Sequence, residues 1–203
     1  MSTMGSEQWN ARYAEAAEKS DTVWSLSPNA WIAETVGHLD PGTAVDLGAG
    51  EGRNALWLAS LGWEVTAVDF SSVGLATGAA RAAELGVDIQ WVTADATTWV
   101  SPQQVDLVVI AYLQLPADDL SRAISNAAGY LAPGGTLAVI GHDVDNLTRG
   151  VGGPRDTAML YSVDAVRDAA AGLEIVEARQ FDRVTEQGTA IDTILVARAG
   201  SAS

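Results

Sequence analysis

Cysteine is absent from the 203 residues, which removes disulfides, thiolate metal ligands and cysteine nucleophiles together. Histidine is scarce: His38 and His142 are the only two, too few for an all-histidine metal site, and no metal is expected. Of the 11 basic residues only Lys19 is a lysine, and no basic run offsets a formal net charge of −15. Such a surface repels a phosphate backbone, so nucleic acid is not an expected partner. No apolar run is long enough to span a bilayer, which argues against a membrane partner. The segment Met1 to Glu18 carries Glu7, Glu15 and Glu18 where a secretory signal is basic and then apolar, so a cytoplasmic protein is expected.

The length suits one sizeable core. A single domain over residues 1–203 is expected, with a helical arm at 1–40 and a core at 41–199. In the arm, Trp9, Tyr13 and Ala16 fall at helical spacing, and Ser27-Pro28 reads as an N-cap followed by a first helical position. Strands are expected at Ala44–Leu47, Glu64–Val68, Asp88–Thr93, Asp106–Ala111 and Thr136–Gly141. Helices alternate with them at Asn54–Leu61, Ser71–Leu85 and Pro116–Leu131. Crossovers of this length favour a Rossmann-like, doubly wound α/β sheet, mostly parallel, with helices on both faces. After a further helix, Val163–Ala171, two strands at Leu173–Phe181 and Thr189–Ala197 are close enough to form an antiparallel hairpin. The stretch between Asp143 and Tyr161 reads as one long irregular loop, and Asn146–Pro154 within it as a glycine-hinged lid or an ordinary surface loop.

The sharpest motif is Asp46-Leu47-Gly48-Ala49-Gly50-Glu51-Gly52, where the first strand turns into the first core helix. Glycine allows the backbone to close over a ligand lying across a strand end, although a tight turn without ligand uses the same residues. A dinucleotide pyrophosphate site is usually GxGxxG, and here Arg53 stands where that pattern has Gly or Ala. Asp69, about 20 residues past the glycines, is placed to accept the hydroxyl protons of a ribose. Asp95 follows the third strand, so Asp46, Asp69 and Asp95 all stand near the same edge of a parallel sheet.

These motifs resemble the class I S-adenosylmethionine-dependent methyltransferases, from about Trp9 to Ala197. The resemblance implies that Asp46 helps hold the methionyl amine, that Gly48, Gly50 and Gly52 form the cofactor loop, and that Asp69 takes the ribose. It places Phe70 beside the adenine, matches Asp95 and Ala96 to the adenine contact, and matches Leu131-Ala132-Pro133-Gly134-Gly135 to the turn into the fifth strand. Ala49, Asn54 and Ala111 complete the expected cofactor set. The chain is most similar to small bacterial methyltransferases related to tellurite-resistance enzymes. Their N-terminal Trp-x-x-Arg-Tyr element is matched by Trp9-Asn10-Ala11-Arg12-Tyr13, and it folds over the cofactor. Packing of a helix against the core is the competing account of these aromatics. Arg12 is expected to pair with the methionyl carboxylate.

Methyl transfer from a sulfonium is a direct in-line displacement, so alignment and exclusion of water suffice, and a base is needed only where the acceptor loses a proton. The candidates on the acceptor side are His142 as general base and Tyr112 with Gln114 as orienting groups, against a packed histidine and simple turn formers. Ala111-Tyr112-Leu113-Gln114 departs from the Asn/Asp-Pro-Pro-aromatic run of enzymes that methylate base amines. A small-molecule acceptor is therefore expected. Two further readings stay open: a nicotinamide-dinucleotide oxidoreductase, and a non-catalytic module that binds S-adenosylmethionine.

Overall fold

The computed structural model describes residues 5–18 and 27–201, without the side chains at 6 and 17. Residues 1–4 and 19–26 of the expected arm, with Lys19, lie outside the described residues. Seven strands form one sheet: β1 (Thr43–Leu47), β2 (Glu64–Asp69), β3 (Ile89–Thr93), β4 (Val105–Ala111), β5 (Leu131–His142), β6 (Glu174–Thr185) and β7 (Gly188–Arg198). Their spatial order is β3-β2-β1-β4-β5-β7-β6, and only β7 runs against the rest. The expected hairpin is present, with a difference of placement: its second strand inserts between β5 and the first.

The central strands carry near-continuous apolar runs because both faces are covered. The helices are α1 (Ser6–Glu18), α2 (Ala30–Val36), α3 (Arg53–Ser60), α4 (Ser72–Leu85), α5 (Ala117–Gly129), α6 (Asn146–Arg149) and α7 (Val163–Ala169). On one face Leu120, Ile124 and Ala127 of α5 and Val166 of α7 pack with Val108, Ile110 and Leu137. On the other, Trp31 and Ile32 of α2 and Leu58 of α3 pack with Leu107, Val109 and Ile140. From β1 the chain winds outward through β2 to β3 and then crosses to β4 on the other side of β1. In an open α/β sheet a crevice opens at the carboxyl ends of the strands where the order reverses.

Three boundaries differ from the sequence reading for local reasons. Helix α2 is capped by Asn29, whose side chain accepts from Ile32 N, and not by Ser27. Its backbone N–H in turn donates to Asn54 Oδ1 at 2.9 Å, so a contact with α3 sets the start. Strand β5 begins at Leu131, and the Pro133-Gly134-Gly135 turn is an excursion within it, where the register with β4 slips between Val105 and Leu107. The 143–161 stretch contains α6 and a 3₁₀ turn at Thr157–Met159, and it is tied to the sheet. Buried Asn146 accepts from Ile191 N at 2.7 Å and donates to Gly152 O at 3.0 Å.

Candidate active site

The glycine loop begins as β1 ends. Gly48 N and Ala49 N both donate to Val68 O of β2, at 2.8 and 3.0 Å, and Gly52 N donates to Ala49 O. Gly48, Gly50 and Gly52 all have positive φ. At Gly52 the demand is double, because a Cβ there would stand 2.5 Å from the Trp91 ring.

Asp46 lies under this loop, 1% exposed. Its Oδ2 accepts from Ala55 N at 3.0 Å, satisfying one open donor of the first turn of α3. Its Oδ1 is buried with no hydrogen-bond partner among the described residues. Burial pushes the carboxyl up to about 7, against the pull of the Ala55 N–H and Arg53. Asp69 ends β2 and accepts from Gly50 N at 2.9 Å and Ser71 N at 2.8 Å, one bond to each oxygen. Burial raises its carboxyl too, although both N–H groups favour the charged form.

Beside these carboxylates is a narrow cavity lined by Gly48, Ala49, Asn54, Asp69, Phe70, Ala111, Tyr112, Leu113 and Gln114, with Trp9 and Tyr13 of α1. Helix α1 docks through Asn10, whose Oδ1 accepts from Ser71 Oγ at 2.7 Å, and through the stacked rings of Trp9 and Tyr13. Its enclosed space is about 40 Å³.

A second cavity of about 600 Å³ adjoins the first and shares Arg53 and Tyr112 with it. Its floor is a polar cluster built across three strands. Tyr112, just past β4, holds φ +56, the one non-glycine residue with positive φ among those described. Strained backbone of this kind is concentrated at functional sites. The Tyr112 hydroxyl donates to Asp192 Oδ2 at 2.8 Å, and Arg183 Nε donates to the same oxygen at 2.7 Å. His142 Nδ1 stands 3.2 Å from Asp192 Oδ1, short of hydrogen-bond alignment, and neither atom has another hydrogen-bond partner among the described residues. The imidazole is fixed by the Tyr112 ring, 4.9 Å between centroids, and by Gly153, whose Cβ would come within 2.9 Å of it. Asp192 is fully buried; desolvation is the largest single influence and pushes its carboxyl up, but His142, Arg183 and Tyr112 together hold it below the usual range.

Most expected site residues therefore converge, and several are placed otherwise: Asp46 lies beneath the glycine loop and lines neither cavity. Asp95 is exposed and lines neither cavity; its Oδ1 accepts from Thr97 N and Thr97 Oγ1, an ordinary Asx turn. Ala96 is buried in the core against α5. Arg12 lies on the exposed side of α1, with its guanidinium 5.0 Å from the Trp9 ring centroid, and lines neither cavity. Gly50 and Gly52 shape the loop through their N–H groups, which donate to Asp69 Oδ2 and Ala49 O, and line neither cavity. The sequence reading missed Asp192, Arg183, Glu51, Arg81 and the site role of Arg53. Glu51 is 3% exposed, lines the narrow cavity and pairs with Arg81 at 3.5 Å. Asp192 did carry a signal: it is a single acid inside the run Ala190-Ile191-Asp192-Thr193-Ile194-Leu195-Val196, where solvent cannot explain it.

Residues 44–135 match the methyltransferase domain family, which covers β1 to the start of β5. The match spans the glycine loop and the strands that end in Asp46-Leu47 and Asp69, and it agrees with the resemblance to class I S-adenosylmethionine-dependent methyltransferases read from the sequence. The fold is similar to that of TehB from Haemophilus influenzae, with a TM-score of 0.71 at 19% identity, over 85% of this chain and 62% of that one. It is equally similar to the N-methyltransferase NodS from Bradyrhizobium japonicum WM9, solved in complex with S-adenosyl-L-homocysteine. There the TM-score is 0.72 at 17% identity, over 94% and 98% of the two chains. In sequence, 105 residues are 31% identical to the ribosomal RNA small subunit methyltransferase C of Alcanivorax borkumensis, 49% of this chain and 32% of that protein. The chain thus spans about a third of the length of the curated relative it matches.

Proposed function

We propose that this chain transfers a methyl group from S-adenosylmethionine to a small molecule, with the cofactor in the glycine-loop cavity and the acceptor in the wider one. The observation that carries this reading is the adjacency of the two cavities at the switch point, with Tyr112 and Arg53 on their shared wall. The donor set suits the cofactor. Asp46 Oδ1 is a buried acceptor without partner, suited to an ammonium directly or through one water. Asp69 keeps a further lone pair on each oxygen for ribose hydroxyls, and Phe70, Trp9 and Tyr13 offer faces for a base. When bound, the cofactor supplies an electrophilic methyl on sulfur.

What the chain's own residues add is alignment and a base. A proton on His142 Nδ1, facing Asp192, leaves Nε2 as a proton acceptor, the arrangement by which a buried carboxylate orients a catalytic imidazole. A ribosomal RNA acceptor, suggested by the curated relative, is opposed by the charge of −15 and by the partial overlap. A dinucleotide reading is opposed by Arg53 in place of the third glycine and by Trp91 against Gly52.

Calorimetric titration with S-adenosylhomocysteine and, separately, NAD tests the cofactor. Micromolar binding of the first alone is expected; binding of NAD alone overturns the reading. Turnover on a panel of small hydroxyl, amine and thiol acceptors then tests the chemistry. Cofactor binding with no turnover on that panel would favour a non-catalytic binding module.

A further inference from the structure

His142 of β5 lies opposite Asp192 of β7, and Asp192 lies opposite Phe181 of β6. Asp192 Oδ2 accepts from the Tyr112 hydroxyl and from Arg183 Nε, which leaves Oδ1 for His142 Nδ1 at 3.2 Å. The acid next to the imidazole in sequence, Asp143, is engaged elsewhere, bonded to Thr193, Gln180 and the Asp145 N–H. The charges at the wider cavity cancel. Arg53 and Arg183 on its wall stand against Glu186 on the wall and Asp192 behind it, and Asp46 is a further acid within reach of Arg53. Inside a molecule of net charge −15, this cavity offers an anion no net positive charge.

We propose that the wider cavity takes an uncharged acceptor with a phenolic hydroxyl, whose proton passes to His142 Nε2 while Tyr112 and Arg183, acting through Asp192, hold that imidazole in place. This deepens the methyltransferase reading and rests on it. A base matters for an acceptor that must shed its proton in order to attack. An amine attacks through its lone pair and sheds a proton afterwards, and a thiol with a pKa of about 8.5 is already partly ionised at neutral pH. A phenol at about 10 is neither, yet it lies within a few units of an imidazole at about 6.5, close enough for transfer as the bond forms. The hydroxyl oxygen bonds to the methyl carbon as the carbon–sulfur bond breaks with its electron pair on sulfur; the proton goes to Nε2 and then to solvent. Tyr112 and Arg183 are positioning residues: each donates to Oδ2 of a carboxylate with no exposure, so Oδ1 stays turned to His142. The positive φ of Tyr112 belongs to the same arrangement, because it falls at the residue whose hydroxyl reaches across to β7. The cavity of about 600 Å³ is ample for an aromatic ring.

His142 lines the wider cavity and His38 lines neither, so the two imidazoles serve as probe and control. Their resonances in the whole protein, free and saturated with S-adenosylhomocysteine, are followed by NMR while phenol, anisole or benzoate is added. Phenol should shift His142 saturably and leave His38 unmoved. Anisole, with the ring but no proton to give, should bind more weakly by about fivefold or more, the scale of one hydrogen bond, and benzoate should bind no tighter than phenol. The positioning role is read from the pH titration of His142, which faces Asp192 from β7, Arg183 from β6 and Tyr112 after β4, with Arg53 and Glu186 on the cavity wall. Arg183→Gln and Tyr112→Phe each take a donor from the carboxylate beside His142, so its pull on an imidazolium grows. The midpoint should rise, by about one pH unit in Arg183→Gln and by less in Arg183→Lys, which keeps the charge, and in Tyr112→Phe, which keeps the ring. Because Arg183→Gln removes a partner of buried Asp192, Tyr112→Phe decides if the first does not fold. Equal binding of phenol and anisole, tighter binding of benzoate, no saturable His142 shift, or a midpoint that stays or falls in the variants overturns the proposal. Failure of S-adenosylhomocysteine to bind would instead overturn the methyltransferase reading, with the phenol comparison and the His142 titration still deciding the hydroxyl seat.

Discussion

Asp46 shows how a single buried residue couples stability to ligand binding. Its carboxyl titrates near 7 in the folded chain and near 3.8 when exposed, so the native state holds the extra proton. The stability from that group is fully present below pH 4 and is lost as the pH rises through 7. A shift of this size corresponds to a few kcal/mol at most. Asp46→Asn should therefore flatten the decline in melting temperature between pH 5 and 8, and an unchanged slope would reassign it. An ammonium placed against Oδ1 reverses the effect by favouring the carboxylate. Binding of S-adenosylhomocysteine near pH 6.5 should then release a proton, read as a buffer-dependent calorimetric enthalpy that Asp46→Asn abolishes. At the acceptor side, His142→Ala should reduce turnover by about 10²–10⁴-fold, the range for a general base, with cofactor affinity nearly intact. Equal turnover in a folded variant would return His142 to a packing role. The glycine loop, Asp46 and Asp69 were legible because their partners lie within about one βαβ unit, where spacing alone carries the geometry. Arg183 and Asp192 were not, because the cluster forms only when Asp192 meets Tyr112 across 80 positions of sequence. Their meeting depends on the register that sets His142 opposite Asp192 and Asp192 opposite Phe181.

At the scale of elements, alternation and turn residues placed every strand within a few residues, since apolar runs and glycine punctuation are local properties. Boundaries set by tertiary contacts were less readable: α2 starts where Asn29 meets Asn54, and β5 begins before its own turn. The insertion of β7 between β5 and β6 was equally hidden, because a short hairpin connection is compatible with either strand lying at the sheet edge. Helix α1 carries the main mechanical consequence. The 40 Å³ beneath it is far below the roughly 300–1,000 Å³ of ordinary ligand pockets, so a nucleoside enters only if α1 shifts. Thirteen residues make a helix that is marginal on its own, held here by Trp9, Tyr13 and Asn10. Its amides should exchange faster than those of β1 and β4 in the free protein and slow at least about tenfold with saturating S-adenosylhomocysteine. Identical exchange with and without ligand would show that α1 is ordinary packing and not a cover.

Across the whole molecule, the charge of −15 works against compactness and against anionic ligands alike, since both the folded surface and an approaching anion meet the same field. The described exposed ion pairs, such as Arg122–Asp119 and Arg167–Asp164, are too solvated to offset it. At about 10 mM salt the screening length is about 30 Å, comparable to a domain of this size, and at 0.1 M it is about 10 Å. Added sodium chloride should therefore raise the melting temperature, by several degrees between about 10 and 300 mM at pH 7.5, if long-range repulsion outweighs the local pairs. A melting temperature that falls with salt would mean that local pairs dominate the field.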